Sequence, residues 1–219
     1  MVYSPCMNLS RLLEALDLVK ERRTSLRIDT ERAVEPALIA DLCGAAVWAP
    51  NHRLTEPWRF AALTGAARTA LGEVAATALL ARGSTDEARL AKTRSKYLRA
   101  PVVLAVGCAP EGDPIRHAED RDAVAAGVQN LLLAATAAGL ASCWATGIAA
   151  REPATTELCG FEAGTEIVAL IYLGWPIGES APPGRAAPII NWVSGPDSIR
   201  HSDVKNLDTG RGDVPVEDR

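Results

Sequence analysis

Three stretches of the chain carry polar and cationic groups where packing alone asks for none. The first is E-R-R-T-S-L-R at 21–27. Guanidinium forks match phosphate oxygens and hydroxyls add neutral donors, so Arg22 and Arg23 followed by Thr24 and Ser25 make a phosphate grip. Cations here also suit the negative end of a preceding helix, which is the simpler account of Arg27. The second stretch is A-P-N-H-R-L-T-E-P-W-R-F at 49–60. Its prolines stiffen a loop between an apolar helix and a strand, leaving Asn51 and His52 as amide and imidazole donors on rigid flanks. The third is G-L-A-S-C-W-A-T-G at 139–147. Gly139 stops a helix. Trp144 is either core or a ring partner, and Thr146-Gly147 offers a hydroxyl and open backbone that can hydrogen-bond the edge of a flat heterocycle. Arg185, in P-P-G-R, adds a cation in a proline-held turn, which only the fold can bring to a shared phosphate.

Composition narrows the remaining chemistry. The 219 residues are 48% hydrophobic and 23% charged, as in an ordinary globular protein with a substantial core. A formal charge of −4, with no basic and aromatic stripe, argues against nucleic acid or anionic lipid as a partner. Cys6, Cys43, Cys108, Cys143 and Cys159 are scattered and odd in number, as reduced thiols are. His52, His117 and His201 lack metal-ligand spacing. There is neither a leader-like apolar run nor a segment long enough to span a membrane, so a cytoplasmic location is the default expectation. No G-x-G-x-x-G points to a Rossmann domain, and no nucleophile with a paired base is evident.

These groups need elements to position them. Leu9, Leu12, Leu13, Leu16 and Val19 form one stripe of a helix over 8–23, capped by Asn8 or Ser10. A second helix starts at Glu35-Pro36 and ends before Pro50. A strand over 58–63 precedes Ala-rich helices over 65–82 and 84–99, the latter opened by a Ser84/Glu87 capping box. The continuous apolar run 100–108 predicts a strand covered on both faces. Residues 120–140 are apolar nearly all round and predict a central helix. A strand near 141–145, a short helix near 152–159 and a strand over 165–174 close an α+β layered domain spanning 1–196. Its arm, about 178–196, carries an apolar P-I-I-N-W-V suited to a partner subunit; a truncation near 180 that leaves a stable dimer would count against that role. Residues 197–219 read as a polar, mobile tail, in which R-G-D at 211–213 is a chance match.

The order of R-R-T-S, A-P-N-H-R-L-T-E-P-W-R-F, R-A-P-V-V-L-A-V and G-V-Q-N-L-L-L-A-A-T-A-A-G-L-A-S-C-W-A-T-G resembles the nitroreductase family of flavin enzymes over about residues 10–187. The resemblance implies a three-layer α/β/α sandwich with a central buried helix, in an obligate dimer with an exchanged C-terminal arm. It implies two FMN sites at the dimer interface, each built from both chains. Arg22, Arg23 and Thr24 match the first phosphate- and ring-contacting motif. Asn51, His52 and Leu54 match the loop that reaches the flavin of the other subunit. Trp144, Thr146 and Gly147 match the segment under the isoalloxazine near N5, and Arg185 matches the C-terminal phosphate contact. The chain departs from the family pattern at three places: Leu54 replaces a frequent polar residue, Thr24 a commoner Ser, and Ile28-Asp29 a usual aromatic.

The activity implied is hydride transfer from NADH or NADPH to FMN, then ping-pong reduction of a nitroaromatic, quinone or similar electrophile. Rival readings are a specialised relative (flavin fragmentation, dehalogenation or a reductase of cofactor biosynthesis), or a non-catalytic flavin-binding protein. A specialised member would place a lid over the flavin; the candidate is the 65–99 helical pair with Arg82, Arg89, Lys92 and Tyr97, for which a solvated helix face is the simpler reading.

Overall fold

The structure is a computed structural model that describes residues 8–178, 184–193 and 199–201. Helix α1 (Leu9–Glu21) is capped by the Asn8 side chain, which accepts from the Arg11 amide. Helix α2 (Pro36–Ala46) begins on the expected proline. Strand β1 (Trp58–Leu63) is followed by α3 (Ala66–Ala81) and α4 (Glu87–Ser95), then a 3-10 turn at Lys96–Arg99 and β2 (Val102–Cys108). Helix α5 (Pro114–Ala137), β3 (Ala141–Ala145), α6 (Pro153–Leu158) and β4 (Glu166–Gly174) complete the first of two compact units, which ends at Pro182.

Two helix starts differ from the sequence reading. Helix α5 begins at Pro114, six residues before the expected 120, because Asp113 caps the Ile115 amide and proline suits the first turn. Helix α4 is capped by Asp86, which accepts from the Arg89 amide, rather than by Ser84.

The strands form one antiparallel sheet in the order β1-β2-β4-β3. Every residue of β2 is buried, as its unbroken apolar run requires. One face of the sheet, through Val102, Leu104, Val106 and Ile171, packs on Leu42 of α2 and Val124, Val128 and Leu131 of α5. The other, through Val103, Ala105, Leu170 and Tyr172, packs on Leu71 and Ala75 of α3 and on Tyr97. Burying one such leucine or isoleucine contributes about 1.5–3 kcal/mol. Gly127 lets α5 lie against α2, since a Cβ there would come within 2.8 Å of the Ala46 carbonyl oxygen. The three-layer α+β sandwich expected from the sequence is therefore present, with the sheet as its middle layer and α5 packed beside α2 on one face.

The apolar stripe of α1 finds no cover: Leu9, Leu12, Leu13, Leu16 and Val19 are each 38–51% exposed. No helix among the described residues is long and apolar enough to cross a membrane. Among them, Cys43, Cys108, Cys143 and Cys159 are free thiols. Burial pushes the thiols of Cys43, Cys108 and Cys159 up to about 11, so none of these three is a thiolate nucleophile at neutral pH. The second unit starts at Pro183. It contains residues 184–190, which carry no regular secondary structure, and an antiparallel pair, β5 (Asn191–Val193) with β6 (Ile199–His201). Cys6 and the R-G-D at 211–213 lie outside the described residues.

One ion-pair cluster ties α5 to the start of β4. Arg121 Nε donates to Glu166 Oε1 at 2.7 Å, and His117 Nε2 lies 3.0 Å from Glu166 Oε2. Burial alone would raise the Glu166 carboxyl, but the bonds from Arg121 and His117 outweigh it and hold it below the usual range. A depressed carboxyl contributes stability above its unfolded value of about 4.3 and loses it as pH falls through the folded value. Glu166→Gln is therefore expected to lower Tm by about 2 °C at pH 7, a small effect because the group is partly exposed. Thermal melts should show that difference closing below about pH 4.

Candidate functional site

Residues 24–29 run in extended form beside β3 and the end of β4. Thr24 bridges Ser142 in parallel, the Ser25 amide donates to the Ser142 carbonyl at 2.9 Å, and the Asp29 amide donates to Trp175 at 2.8 Å. The first and third chemical stretches of the sequence are thus brought together along one sheet edge. Arg22 leaves α1 half-buried, and its side chain makes no hydrogen bond or ion pair among the described residues. Arg23 turns back onto its own helix and donates to the carbonyls of Lys20 and Arg22, so its guanidinium caps the negative end of α1. Its Nε is buried without a partner. A groove of about 200 Å³ lined by Arg23, Ser25, Thr136 and Gly178 opens beside it.

At the far end of β3 the Trp144 indole packs on the α2/α5 core, and its Nε1 donates to the Val168 carbonyl at 3.4 Å. Thr146 is exposed and borders a cavity of about 620 Å³ with Arg121, Arg151, Thr156 and Phe161. Gly147 follows in backbone geometry that any residue can adopt (φ −90°, ψ −173°). A Cβ there would lie 3.1 Å from Lys96 Nζ and 3.5 Å from the Tyr97 hydroxyl. Lys96 is half-buried and sits 4.7 Å over the Tyr97 ring. Burial, then the neighbouring Arg99, lowers its ammonium below the usual lysine range. Among the described residues it has no carboxylate partner. A desolvated cation left in this state is stabilised by any anionic or electron-rich group placed beside it.

The second stretch lies elsewhere. Asn51, His52 and Leu54 enter β1, at the sheet edge opposite β3. Three strand spacings, roughly 14 Å, separate those edges. Asn51 is engaged within its loop: its Oδ1 accepts the Glu56 amide at 2.9 Å and its Nδ2 donates to Thr55 Oγ1 at 3.0 Å. His52 Nδ1 lies 2.9 Å from Glu119 Oε2 on α5, and Leu54 is 81% exposed. Arg185 lies exposed in the irregular stretch of the second unit.

The model of the nitroreductase family matches residues 19–175, well over half of the chain. The chain belongs to the nitroreductase family. Among curated proteins, the Escherichia coli (strain K12) protein YdjA, named provisionally as an NAD(P)H nitroreductase, is 28% identical over 165 residues. That alignment covers 75% of this chain and 89% of YdjA. Among solved structures, a nitroreductase-like family protein from Bacillus cereus is 27% identical with a TM-score of 0.68, covering 89% of this chain and all of the other. The FMN and NADPH-dependent nitroreductase NfnB of sphigopyxis sp. strain HMH has a TM-score of 0.67 at 20% identity, covering 83% of this chain and 99% of its own.

Within this nitroreductase-family chain, Lys96 is the candidate site residue that sequence reasoning missed. In R-S-K-Y-L-R it is one cation among several, and only its burial beside Gly147 sets it apart. Tyr97, considered for a lid, is instead core: it is 1% exposed and stacked on Tyr172 at 6.0 Å. Arg82 pairs with Glu152 at 2.8 Å, and α3 buries Leu71, Ala75 and Ala76. In this nitroreductase-family fold, α3 is thus a layer of the sandwich.

Proposed function

We propose that the protein is an FMN-dependent oxidoreductase, working as a homodimer, that takes hydride from NADH or NADPH and reduces nitroaromatic, quinone or similar electrophiles. The observation that carries this reading is the pair of cations at the two ends of β3 that have no carboxylate partner among the described residues, Arg22 at one and the half-buried Lys96 at the other. A flat ligand with a phosphate tail suits that spacing of charge: Arg22, Arg23 and Thr24 at the phosphate, and Trp144, Thr146 and Gly147 along the ring. Asn51, His52 and Leu54 sit at the opposite sheet edge, so they complete the site only as part of a second copy of the chain. The uncovered stripe of α1 gives such a copy apolar surface to bury. The FMN and NADPH dependence carried in NfnB's name is consistent with this chemistry.

Bound FMN supplies the hydride-transfer chemistry. The chain's own residues would neutralise the phosphate and hold the ring beside β3. Donor and acceptor sharing one site would have to enter it in turn, which would make the kinetics ping-pong. The test is an anaerobic titration of the FMN-loaded protein with NADH and with NADPH, followed by a nitroaromatic or a quinone. The yellow absorbance is expected to bleach with at least one nicotinamide and return with the acceptor. Failure to retain FMN, or no bleaching with either donor, overturns the reading.

A further inference from the structure

The loop between α2 and β1 holds a conformation that its sequence disfavours. Arg53, Leu54 and Glu56 have φ of 65°, 52° and 50°, the left-handed region that glycine normally fills. None of the three is a glycine, and such residues persist only where their surroundings over-determine them. The surroundings here converge on one side chain. Asp120, on α5, is 5% exposed, and it accepts hydrogen bonds from Thr55 Oγ1 and, at 3.4 Å, from Asn51 Nδ2. Asn51 in turn holds Thr55 and the Glu56 amide, so one buried carboxylate anchors both ends of the left-handed turn. Burying a carboxylate is unfavourable unless it is hydrogen-bonded, and neither an ion pair with Asp120 nor any metal-binding cluster is found among the described residues. Its partners are the loop.

We infer that Asp120 is a positioning residue: through Thr55 and Asn51 it sets the left-handed turn that presents His52 and Leu54 to the FMN site of the second protomer. This rests on the cofactor reading proposed above. It gives Asn51 the task of shaping the loop rather than touching the ligand. It also accounts for Leu54, whose side chain cannot hydrogen-bond, at a position that is 81% exposed in the single chain.

The test is FMN affinity, by flavin fluorescence, in Asp120→Ala, Thr55→Val, Thr55→Ser and the Asp120→Ala/Thr55→Val double variant. Each of Asp120→Ala and Thr55→Val is expected to weaken binding about tenfold. Thr55→Ser, which keeps the hydroxyl, should stay within about twofold. The double variant should lose less than the sum of the two single losses, because the Thr55–Asp120 bond is removed in both. In the FMN-free protein the His52 ring resonances report the loop by themselves, and they are expected to shift in both single variants. Should Asp120→Ala fail to fold, the Thr55 pair carries the same comparison. Unshifted resonances, or additive losses in the double variant, overturn the anchoring role. Shifted resonances with wild-type FMN affinity overturn the link from loop to cofactor. Wild-type protein that binds no FMN sinks the cofactor reading, and with it this inference.

Discussion

Arg22→Glu is expected to raise the Kd for FMN by at least about a hundredfold while leaving the fold intact. The wild-type guanidinium has no partner among the described residues, so removing it breaks nothing in the chain itself. A glutamate at the C-cap of α1 opposes the helix dipole by about 0.3–1 kcal/mol, which is roughly 1–4 °C in Tm for a chain of this size. A charge-assisted contact to phosphate contributes about 1.5–3 kcal/mol, and reversing the charge adds repulsion. At about 1.4 kcal/mol per decade, the sum exceeds two decades. Arg23 makes the informative contrast. Its guanidinium caps α1, so Arg23→Ala should lower Tm as well as FMN affinity. Isothermal titration beside thermal melts separates the two outcomes. A drop in Tm without loss of affinity in Arg22→Glu would make that residue structural.

Gly147→Val should disable the other end of β3. The backbone there suits any residue, so the substitution carries no φ penalty. The obstacle is space: even a single Cβ lies 3.1 Å from Lys96 Nζ, and the branches of valine would displace the amine from its place over Tyr97. If Lys96 stabilises the electron-rich edge of the bound ring, its displacement should weaken FMN between about tenfold and a hundredfold. Gly147→Ala asks the flexible lysine end to give by only a few tenths of an ångström and should be nearly silent. Equal effects of Ala and Val, or none from Val, would detach Lys96 from the site.

What the sequence made legible follows from how local each signal is. The unbroken apolar run of β2, the proline that opens α2 and the turn chemistry at Gly139 are local, and each element lies where its residues place it. The start of α5 was hidden because E-G-D-P-I-R reads as a loop until Asp113 is seen capping the helix. The choice between Ser84 and Asp86 as the cap of α4 turned on which side chain faces the free amides, which spacing alone does not tell. Order along the chain grouped the candidate site residues, yet not by location: β3 neighbours Thr24 and lies opposite Asn51, because β4 inserts between β2 and β3. Lys96 and Asp120 were invisible for a related reason. Each matters through burial against residues distant in sequence, and neither type nor spacing marks it in a row of other charges.

That sheet order makes the central claim directly testable, because a site assembled from opposite edges of two protomers must show complementation. Arg22→Glu and His52→Glu chains, each alone unable to retain FMN or turn over, should be refolded together and assayed for FMN content and NAD(P)H oxidation. Random pairing leaves one intact site in each mixed dimer, so the account predicts recovery of about a quarter of wild-type activity. Activity of the mixture no greater than that of the two variants kept apart would contradict it.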